Sequence, residues 1–366
     1  PSYYYINDEV VVAASERAAI RTTFNVGENE VQELMPGQAL IVSETGEIEI
    51  AQILEPKERK ACSFERIYFS RGSDEKIYKE RKALGFNLSE RVLNAIDYDL
   101  KNTIFSFIPN TAEVAFYGMV KGTERILSWG KEYDEEKLSE MINRRIRQEK
   151  ITIKDVKMRT FISEDSGRNE MVQHVYDITY GTVRPGEDTL VVIDDSIVRG
   201  TTLKESIIRM LGRLKPKRII VVSSSPQIRY PDCYGIDMSK MGDFIAFNAV
   251  VELLKEKGKD SYMQELLEKC KELQQNNKLQ TENVVKQLYK QFTTEEISAK
   301  IAQLITPPEL DIPVDVIFQS IEDLHKSCPN NKGDWYFTGD YPTPGGNKVV
   351  NMAFINYMEG KNVRGY

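Results

Sequence analysis

Histidine and cysteine, which often hold transition metals, are scarce in this 366-residue sequence, which has two histidines and four cysteines. His174 and His325 are too few for a three-histidine metal site. The cysteines are far apart and include no Cys-x-x-Cys pair, which argues against a zinc ribbon and against a disulfide framework. We therefore expect reduced thiols at Cys62, Cys233, Cys270 and Cys328.

Long apolar runs and an excess of positive charge are missing as well. No apolar stretch approaches the roughly 18 residues of a membrane-spanning helix, and the amino terminus does not have the pattern of a signal sequence. The net charge of −7 argues against a nucleic-acid-binding protein, because neutralising phosphates requires a basic face. We expect a globular, cytoplasmic protein with no nucleic-acid or membrane partner.

Strand-like runs and turns alternate through residues 1–55. The turn Thr45-Gly46 joins two segments in which apolar and polar residues alternate, a pattern that predicts a β-hairpin. The sequence begins at Pro1 and enters the strand-like run YYYINDEVVVAAS almost at once. We therefore expect residues 1–55 to be the end of a β-rich domain whose earlier part is missing.

From Cys62 onward, strands alternate with helices, which favours an α/β fold with a parallel central sheet. Short apolar runs predict strands at TIFSFI, at 188–193 and at 218–223, and a charged stretch at about 75–95 is predicted to be helical. We assign residues 56–345 to this domain, about 122–153 and 250–304 to helical insertions within it, and 346–366 to a C-terminal tail.

The segment 190–202, LVVIDDSIVRGTT, carries the most informative chemistry. An apolar strand brings Asp194 and Asp195 to the carboxyl end of the sheet, where ligands of open α/β sheets bind. A small, hydroxyl-rich turn follows and leads into residues with helical spacing. Its backbone N–H groups, its threonine hydroxyls and the helix end suit a phosphate group, and Gly200 permits close approach.

Two acids beside a phosphate cradle are informative because carboxylates repel phosphate. Their partners are then expected to be sugar hydroxyls, a magnesium ion or positive charge that develops at a sugar carbon, and phosphoribosyl transfer involves all three. No GxxxxGK[ST] motif is present, so the turn is not a P-loop. The alternative is a strand that ends in an Asp-rich helix cap.

The sequence resembles the glutamine phosphoribosylpyrophosphate amidotransferases, which contain a type I phosphoribosyltransferase fold. VVIDDSIVRGTT is similar to the phosphoribosylpyrophosphate signature of type I phosphoribosyltransferases in general. Further segments narrow the resemblance, because they follow the family's order over most of residues 60–345. They are CSFERIYFSR (62–71), IPNTAE (108–113), RTFI (159–162), PQIRYPDCYGIDM (226–238) and YFTGDYP (336–342).

The resemblance implies roles for individual residues. Asp194 and Asp195 would be catalytic groups that hold the ribose hydroxyls and Mg²⁺. Thr111 would join the metal site and Asn110 would lie in the same pyrophosphate loop; alternatively, these two residues form a turn or cap the following helix. The 5-phosphate would be bound by Ser196, Val198, Arg199, Gly200, Thr201 and Thr202.

Arg159 matches the start of the mobile loop that closes over substrate in the family, and would be a catalytic residue; the alternative is an ordinary exposed arginine. Beyond residue 162 the family's strongly basic loop is replaced by SEDSGRNEMVQHVYDITYGTV, which puts loop contacts to pyrophosphate in doubt. Some family members bind an iron-sulfur cluster through cysteines just before a YFTG-like sequence. Asn330 and Gly333 stand at those places, so we predict no cluster.

The resemblance implies an amidophosphoribosyltransferase, which forms 5-phosphoribosylamine and pyrophosphate in the first step of de novo purine biosynthesis. Residues 1–55 then correspond to the end of a glutaminase domain with an N-terminal-nucleophile fold, whose catalytic cysteine has no counterpart at Pro1. We expect Mg²⁺ as cofactor, phosphoribosylpyrophosphate and ammonia as substrates, glutamine as the ammonia source in the complete enzyme, and a homo-oligomer. The alternatives are a phosphoribosyltransferase that salvages nucleobases and a regulator that senses phosphoribosylpyrophosphate without turnover.

Overall fold

The computed structural model describes residues 2–128, 146–154, 176–233 and 238–365. Strands account for part of the N-terminal region and for the centre of the molecule. They are β1 (Ser2–Ile6), β2 (Val11–Ala14), β3 (Gln32–Leu34), β4 (Gln38–Val42), β5 (Ile48–Gln52), β6 (Thr103–Phe107), β7 (Arg147–Gln148), β8 (Thr152–Lys154), β9 (Tyr176–Ile178), β10 (Thr189–Asp194), β11 (Arg218–Ser223) and β12 (Val314–Phe318).

Helices surround the central strands. The α-helices are α1 (Arg17–Phe24), α2 (Glu75–Ala95), α3 (Glu113–Ser128), α4 (Arg209–Gly212), α5 (Ile245–Glu256), α6 (Ser261–Gln275), α7 (Lys286–Tyr289), α8 (Thr294–Ile305), α9 (Ile321–Ser327), α10 (Trp335–Thr338) and α11 (Pro344–Met358). Two segments have π-helical turns, Glu65–Phe69 and Leu203–Ile208, and the second continues directly into α4.

Five parallel strands form the central sheet in the order β12-β11-β10-β6-β7. Successive side chains of a strand point to opposite faces. Val191 and Ile193 of β10 therefore pack with α2 and α3, while Leu190 and Val192 lie in a second core cluster with α5, α8 and α11. Burial on both faces explains the continuous apolar runs that these strands have in the sequence. The predicted α/β class and parallel central sheet are confirmed.

Helices α2 and α3 cover one face of the sheet and approach each other closely. A Cβ atom on Gly85 would lie 1.7 Å from the carbonyl oxygen of Ala115, and one on Gly118 would lie 1.8 Å from that of Lys82. Only glycine permits this separation of the two backbones. The pair positions the amino end of α3, and with it the loop that precedes it, against the carboxyl end of β6.

The N-terminal region is built from small antiparallel sheets, as its alternating pattern predicts. Strand β1 pairs with β2 and with β3, and β4 pairs with β5. Val42 lies opposite Ile48, so the turn at Thr45-Gly46 closes the predicted hairpin. The assignment of residues 1–55 to a glutaminase domain stays a prediction, and so do the other domain boundaries.

Two segments differ from their predicted form. Within the predicted helical insertion at 122–153, residues 122–128 complete α3, in which Gly122 and Thr123 are buried, and β7 adds a strand to the central sheet by pairing with β6. The predicted tail contains helix α11, which buries Val350 and Phe354 at helical spacing. No helix of the described residues is long and apolar enough to cross a bilayer.

Candidate functional site

Three loops meet at the carboxyl end of the central sheet, one after each of β6, β10 and β11. The N–H of Ile108, just beyond β6, donates to the carbonyl oxygen of Ile193 at 2.9 Å. Beyond β11, the Ser224 N–H donates to the carbonyl oxygen of Asp194 at 2.9 Å. The Ser224 hydroxyl donates to the carbonyl oxygen of Asp195 at 3.1 Å. These bonds fix the backbone of the acid pair between its two neighbouring loops.

Asp194 and Asp195 are adjacent, half-buried carboxylates. The Asp195 N–H donates to Oδ1 of Asp194 at 2.9 Å, and the Ser196 hydroxyl donates to Oδ1 of Asp195 at 2.9 Å. Burial, followed by repulsion from Asp195, holds the pKa of Asp194 well above the ordinary value. Burial also raises the pKa of Asp195, although the hydrogen bond from Ser196 opposes this shift. The pair therefore resists carrying two negative charges unless a cation joins it.

Thr111 reaches the acid pair from the loop after β6. Its side chain hydrogen-bonds Asp195, which brings together the three residues predicted to form the metal site. Asn110 is exposed, its peptide bond to Pro109 is cis, and its carbonyl oxygen accepts from the N–H of Glu113 at 3.3 Å. The loop thus starts helix α3 and also places Thr111 in the site, so the two interpretations of this segment are compatible.

The predicted phosphate turn, residues 196–202, leads into the π-helical turns that precede α4. Gly200 has a φ of +72°, and a Cβ atom there would lie 2.9 Å from Cγ2 of Ile305. Glycine is therefore required by both the backbone conformation and the space. The side chains of Thr201 and Thr202 are exposed, so their hydroxyls are open to a ligand at the helix end.

Val198 and Arg199 connect the turn to the segment that leads into helix α5. The carbonyl oxygen of Val198 accepts from the N–H of Ile245 at 2.8 Å, which attaches the turn to helix α5. Arg199 forms an ion pair with Asp243 at 3.3 Å. These contacts support the shape of the turn, and the predicted phosphate-binding roles of both residues stay predictions. Arg159 and the rest of segment 159–162 lie outside the described residues.

Two residues near the acids were missed by sequence reasoning. Arg81 of α2 is buried, and Asp195 is the acidic group that attracts it most strongly. Burial, together with the charges of Asp194 and Asp195, raises the pKa of Tyr176 to about 12. Arg81 had a detectable signal, because it lies four residues after Ile77 on the buried face of a helix. Tyr176 had none.

The donor set at the acid pair suits Mg²⁺. This ion prefers oxygen ligands and is often held by one or two carboxylates together with substrate phosphates. Asp194, Asp195 and the Thr111 hydroxyl provide such oxygens, and among the described residues no cationic side chain forms an ion pair with either acid. Within the same residues, no group of three or more histidine, cysteine or acidic side chains is placed to hold a metal by itself.

Gly333, which stands where some family members have a cluster cysteine, lies beside Cys62. Gly333 forms an isolated parallel bridge with Cys62, and the Asn331 side chain donates to the Cys62 carbonyl oxygen at 3.1 Å. Burial raises the pKa of the Cys62 thiol to about 12, which favours the protonated form over the thiolate that ligates iron. The absence of an iron-sulfur cluster stays a prediction.

Comparisons with known proteins confirm the resemblance found in the sequence. The chain is 29% identical to the amidophosphoribosyltransferase of Escherichia coli over 251 residues, which cover 67% of the chain and 44% of that protein. It is 30% identical to the Bacillus subtilis amidophosphoribosyltransferase over 259 residues, which cover 69% of the chain and 48% of that protein. The chain thus spans about half the length of these curated relatives. No protein-family model matches it.

Two solved structures show the same fold. Glutamine phosphoribosylpyrophosphate amidotransferase from B. subtilis, complexed with ADP and GMP, superposes with a TM-score of 0.57 at 24% identity, over 94% of the chain and 59% of that structure. A structure of the allosteric regulatory enzyme of purine biosynthesis gives a TM-score of 0.58 at 24% identity. The superposition covers 93% of the chain and 57% of that structure. The predicted fold class is confirmed by these likenesses.

Proposed function

We propose that the chain carries the phosphoribosyl-transfer site of an amidophosphoribosyltransferase. The site would form 5-phosphoribosylamine and pyrophosphate from phosphoribosylpyrophosphate and ammonia. The observation that carries this proposal is the junction of Asp194, Asp195 and Thr111 beside the phosphate turn at one edge of a parallel sheet. The similarity to curated amidophosphoribosyltransferases over two thirds of the chain supports it.

The geometry of the site supports the proposed mode of substrate binding. The turn at 196–202 presents backbone N–H groups, the hydroxyls of Thr201 and Thr202 and a helix end, which suit the 5-phosphate. Asp194 and Asp195 would accept hydrogen bonds from the ribose hydroxyls and, with Thr111, would hold Mg²⁺. When bound, Mg²⁺ supplies positive charge that screens the pyrophosphate.

The acid pair also serves the chemical step. The ammonia nitrogen bonds to C1 while the bond from C1 to the pyrophosphate oxygen breaks, and pyrophosphate leaves with the bonding electron pair. The attached nitrogen then loses a proton to solvent water to give the amine. Positive charge develops on the sugar during this exchange, and carboxylates fixed in a half-buried site stabilise it without reorganising. No side-chain nucleophile is needed, so the work of the protein is positioning and electrostatics.

We expect no glutamine hydrolysis from the 366 residues. Such hydrolysis requires an activated nucleophile beside a base. Burial raises the pKa of the Cys62, Cys270 and Cys328 thiols to about 12, so these thiols are poorly disposed to form the reactive thiolate. A homo-oligomeric state and a cytoplasmic location complete the proposal; both rest on the similarity to biosynthetic amidophosphoribosyltransferases.

The decisive experiment measures pyrophosphate release by the purified protein with phosphoribosylpyrophosphate, Mg²⁺ and ammonia. We expect release that depends on all three and no glutamate release when glutamine replaces ammonia. Binding of phosphoribosylpyrophosphate without any release would contradict the enzyme and favour the sensing regulator. Release that requires a nucleobase in place of ammonia would instead indicate a salvage enzyme.

A further inference from the structure

The loop after β11 holds the backbone of the acid pair through one residue, Ser224. The parallel pairing of β10 with β11 ends at Asp194 and Ser223. One residue further along, the Ser224 N–H donates to the carbonyl oxygen of Asp194 at 2.9 Å. The Ser224 hydroxyl then donates to the next carbonyl oxygen, that of Asp195, at 3.1 Å. A side chain thus extends the connection between the two segments beyond the end of the strand pairing.

Ser224 is itself firmly anchored. It is 3% exposed, and its neighbours Ser223 and Ser225 are fully buried. The N–H of Gln319, just beyond β12, donates to the carbonyl oxygens of Ser223 at 3.2 Å and Ser225 at 3.3 Å. The Gln319 side chain in turn donates to the carbonyl oxygen of Leu84 in α2 at 2.8 Å. The loop that carries Ser224 is therefore attached to the sheet and to α2, so it can hold a neighbouring segment in place.

Asp195 and the phosphate turn that follows it have separate attachments. The carboxylate of Asp195 accepts from the hydroxyl of Ser196 at 2.9 Å, within the same segment, whereas Ser224 holds its backbone from the neighbouring loop. The turn is attached to α5, because the Ile245 N–H donates to the carbonyl oxygen of Val198 at 2.8 Å. Loss of the Ser224 hydroxyl should therefore loosen Asp195 and leave the turn attached.

We propose that Ser224 is a positioning residue of the phosphoribosyl-transfer site, which keeps the carboxylate of Asp195 in place by fixing the backbone of that residue. The inference rests on the proposed function. Electrostatic stabilisation of a transition state requires groups that are already in position, and a misplacement of about 1 Å can cost about a hundredfold in rate. The buried serine thus acts on the rate through the acid that it holds, without contacting the substrate itself.

The test compares Ser224→Ala and Ser224→Thr with Ser225→Ala in steady-state assays of ammonia-dependent pyrophosphate release. Ser225 is a matched control, because it is equally buried and its hydroxyl donates to the Pro226 carbonyl oxygen at 3.0 Å, within its own loop. We expect Ser224→Ala to lower kcat about tenfold and to keep the KM for phosphoribosylpyrophosphate within about twofold, because the phosphate turn keeps its attachment. Ser224→Thr retains the donor and should keep kcat within about threefold of the unsubstituted protein.

Thermal unfolding is measured on the same samples. Each alanine variant loses one buried hydroxyl, so the two melting temperatures should fall by similar amounts while only Ser224→Ala loses rate. Unchanged kcat in Ser224→Ala would overturn the proposal, and so would an equal loss of kcat in Ser225→Ala or in Ser224→Thr.

If Ser224→Ala does not fold, Ser224→Cys takes its place, because a thiol is a weaker donor than a hydroxyl; its kcat should also fall, and an unchanged kcat would overturn the proposal. If the unsubstituted protein releases no pyrophosphate, the proposed function fails and this inference fails with it. Release that does not depend on Ser224 contradicts the inference alone.

Discussion

The two ends of strand β10 place acidic groups in opposite surroundings. Asp188 lies just before the strand, is fully buried and accepts from the guanidinium groups of Arg147 and Arg184 and from the Arg184 N–H. Asp194 and Asp195 lie about 20 Å away at the other end, and no described cation contacts them. Burial acts against both charges, but the two arginines lower the pKa of Asp188, whereas burial and repulsion raise that of Asp194. Two arginines compensate the charge at one end, and no ion pair compensates the acids at the other end among the described residues.

This contrast distinguishes a carboxylate that stabilises the fold from one that is available for chemistry. Asp188 joins β7 to the loop before β10 through Arg147 and Arg184. Both arginines also donate to the carbonyl oxygen of Lys101, just before β6, at 3.2 and 2.9 Å. The acid pair has no comparable set of partners, and perturbed carboxylates of this kind are concentrated at functional sites. Substitutions at the two ends should therefore separate activity from stability.

The largest expected effect is on the rate. Asp194→Asn and Asp195→Asn should each lower the rate of ammonia-dependent pyrophosphate release about a hundredfold, because transition-state electrostatic contacts carry on the order of 3 kcal/mol. Both variants should remain folded, since the substitution relieves repulsion. Asp315→Asn is the control: that half-exposed acid pairs with Arg218 in the sheet. Full activity in both acid-pair variants would remove the catalytic assignment.

At the other end of the strand, the effect should appear in stability. Asp188→Asn loses charged hydrogen bonds to two arginines, and we expect the free energy of unfolding to fall by about 2 kcal/mol. The loss stays moderate because the side chains of Arg147 and Arg184 are 29% and 43% exposed and can be hydrated. Denaturant titration measures the change. A fall in rate with unchanged stability would mean that the two ends of β10 are not functionally separate.

A smaller effect is expected at the phosphate turn. Gly200→Ala should weaken binding of ribose 5-phosphate about fivefold to tenfold, because the left-handed backbone costs about 1 kcal/mol for alanine and the new methyl group meets Ile305. Gly186→Ala is a matched control, with a φ of +74° and no atom within 4 Å of the added Cβ. Equal affinities in the two variants would argue against a preformed turn.

The smallest effects should have opposite signs in a pH series of unfolding free energies measured without metal. The pKa of Asp188 is lowered on folding, so its stabilisation is present above the unfolded pKa of about 3.9 and is lost as the pH falls towards the folded value. The pKa of Asp194 is raised, so its charge destabilises the fold at neutral pH, and this cost declines as the pH falls below the folded value and is gone at the unfolded value. At neutral pH, Asp194→Asn should therefore be more stable than the unsubstituted protein and Asp188→Asn less stable. Parallel curves for the three proteins would contradict the comparison.

The central strands and the acid pair are the parts that the sequence predicts well. Strand β11 runs over Arg218–Ser223 and α2 over Glu75–Ala95, as predicted, because β11 is a short apolar run and α2 is a long charged stretch whose buried residues recur at helical spacing. Asp194, Asp195 and the turn after them are contiguous, so their proximity needs no knowledge of the fold. The position of Thr111 beside Asp195 could be predicted only from the family resemblance. Parallel strands bring loops together that are distant in the sequence, and no local pattern signals this.

Other features depend on contacts that no local pattern encodes. Strand β7 has two residues and is defined by its pairing with Ile104 and Phe105. Arg81 is visible as a charge on a buried helix face, but its partners at residues 66–70 are not visible. Helix α11 begins at Pro344 and contains Gly345 and Gly346, which favour a loop in a sequence interpretation; its burial against α6 decides otherwise.

The buried amide of Asn351 helps to couple helix α11 to the long helical region before it. Asn351 of α11 is fully buried; its side chain donates to the carbonyl oxygens of Leu279 at 2.9 Å and Glu282 at 2.8 Å and accepts from the N–H of Val284 at 3.1 Å. The backbone of the connection between α6 and α7 is thus hydrogen-bonded by the side chain of a residue about 70 positions later in the chain. Helices α6, α7 and α11 should consequently exchange their amide hydrogens as one cooperative unit, and loss of α11 should open this region to proteases while the parallel sheet stays protected.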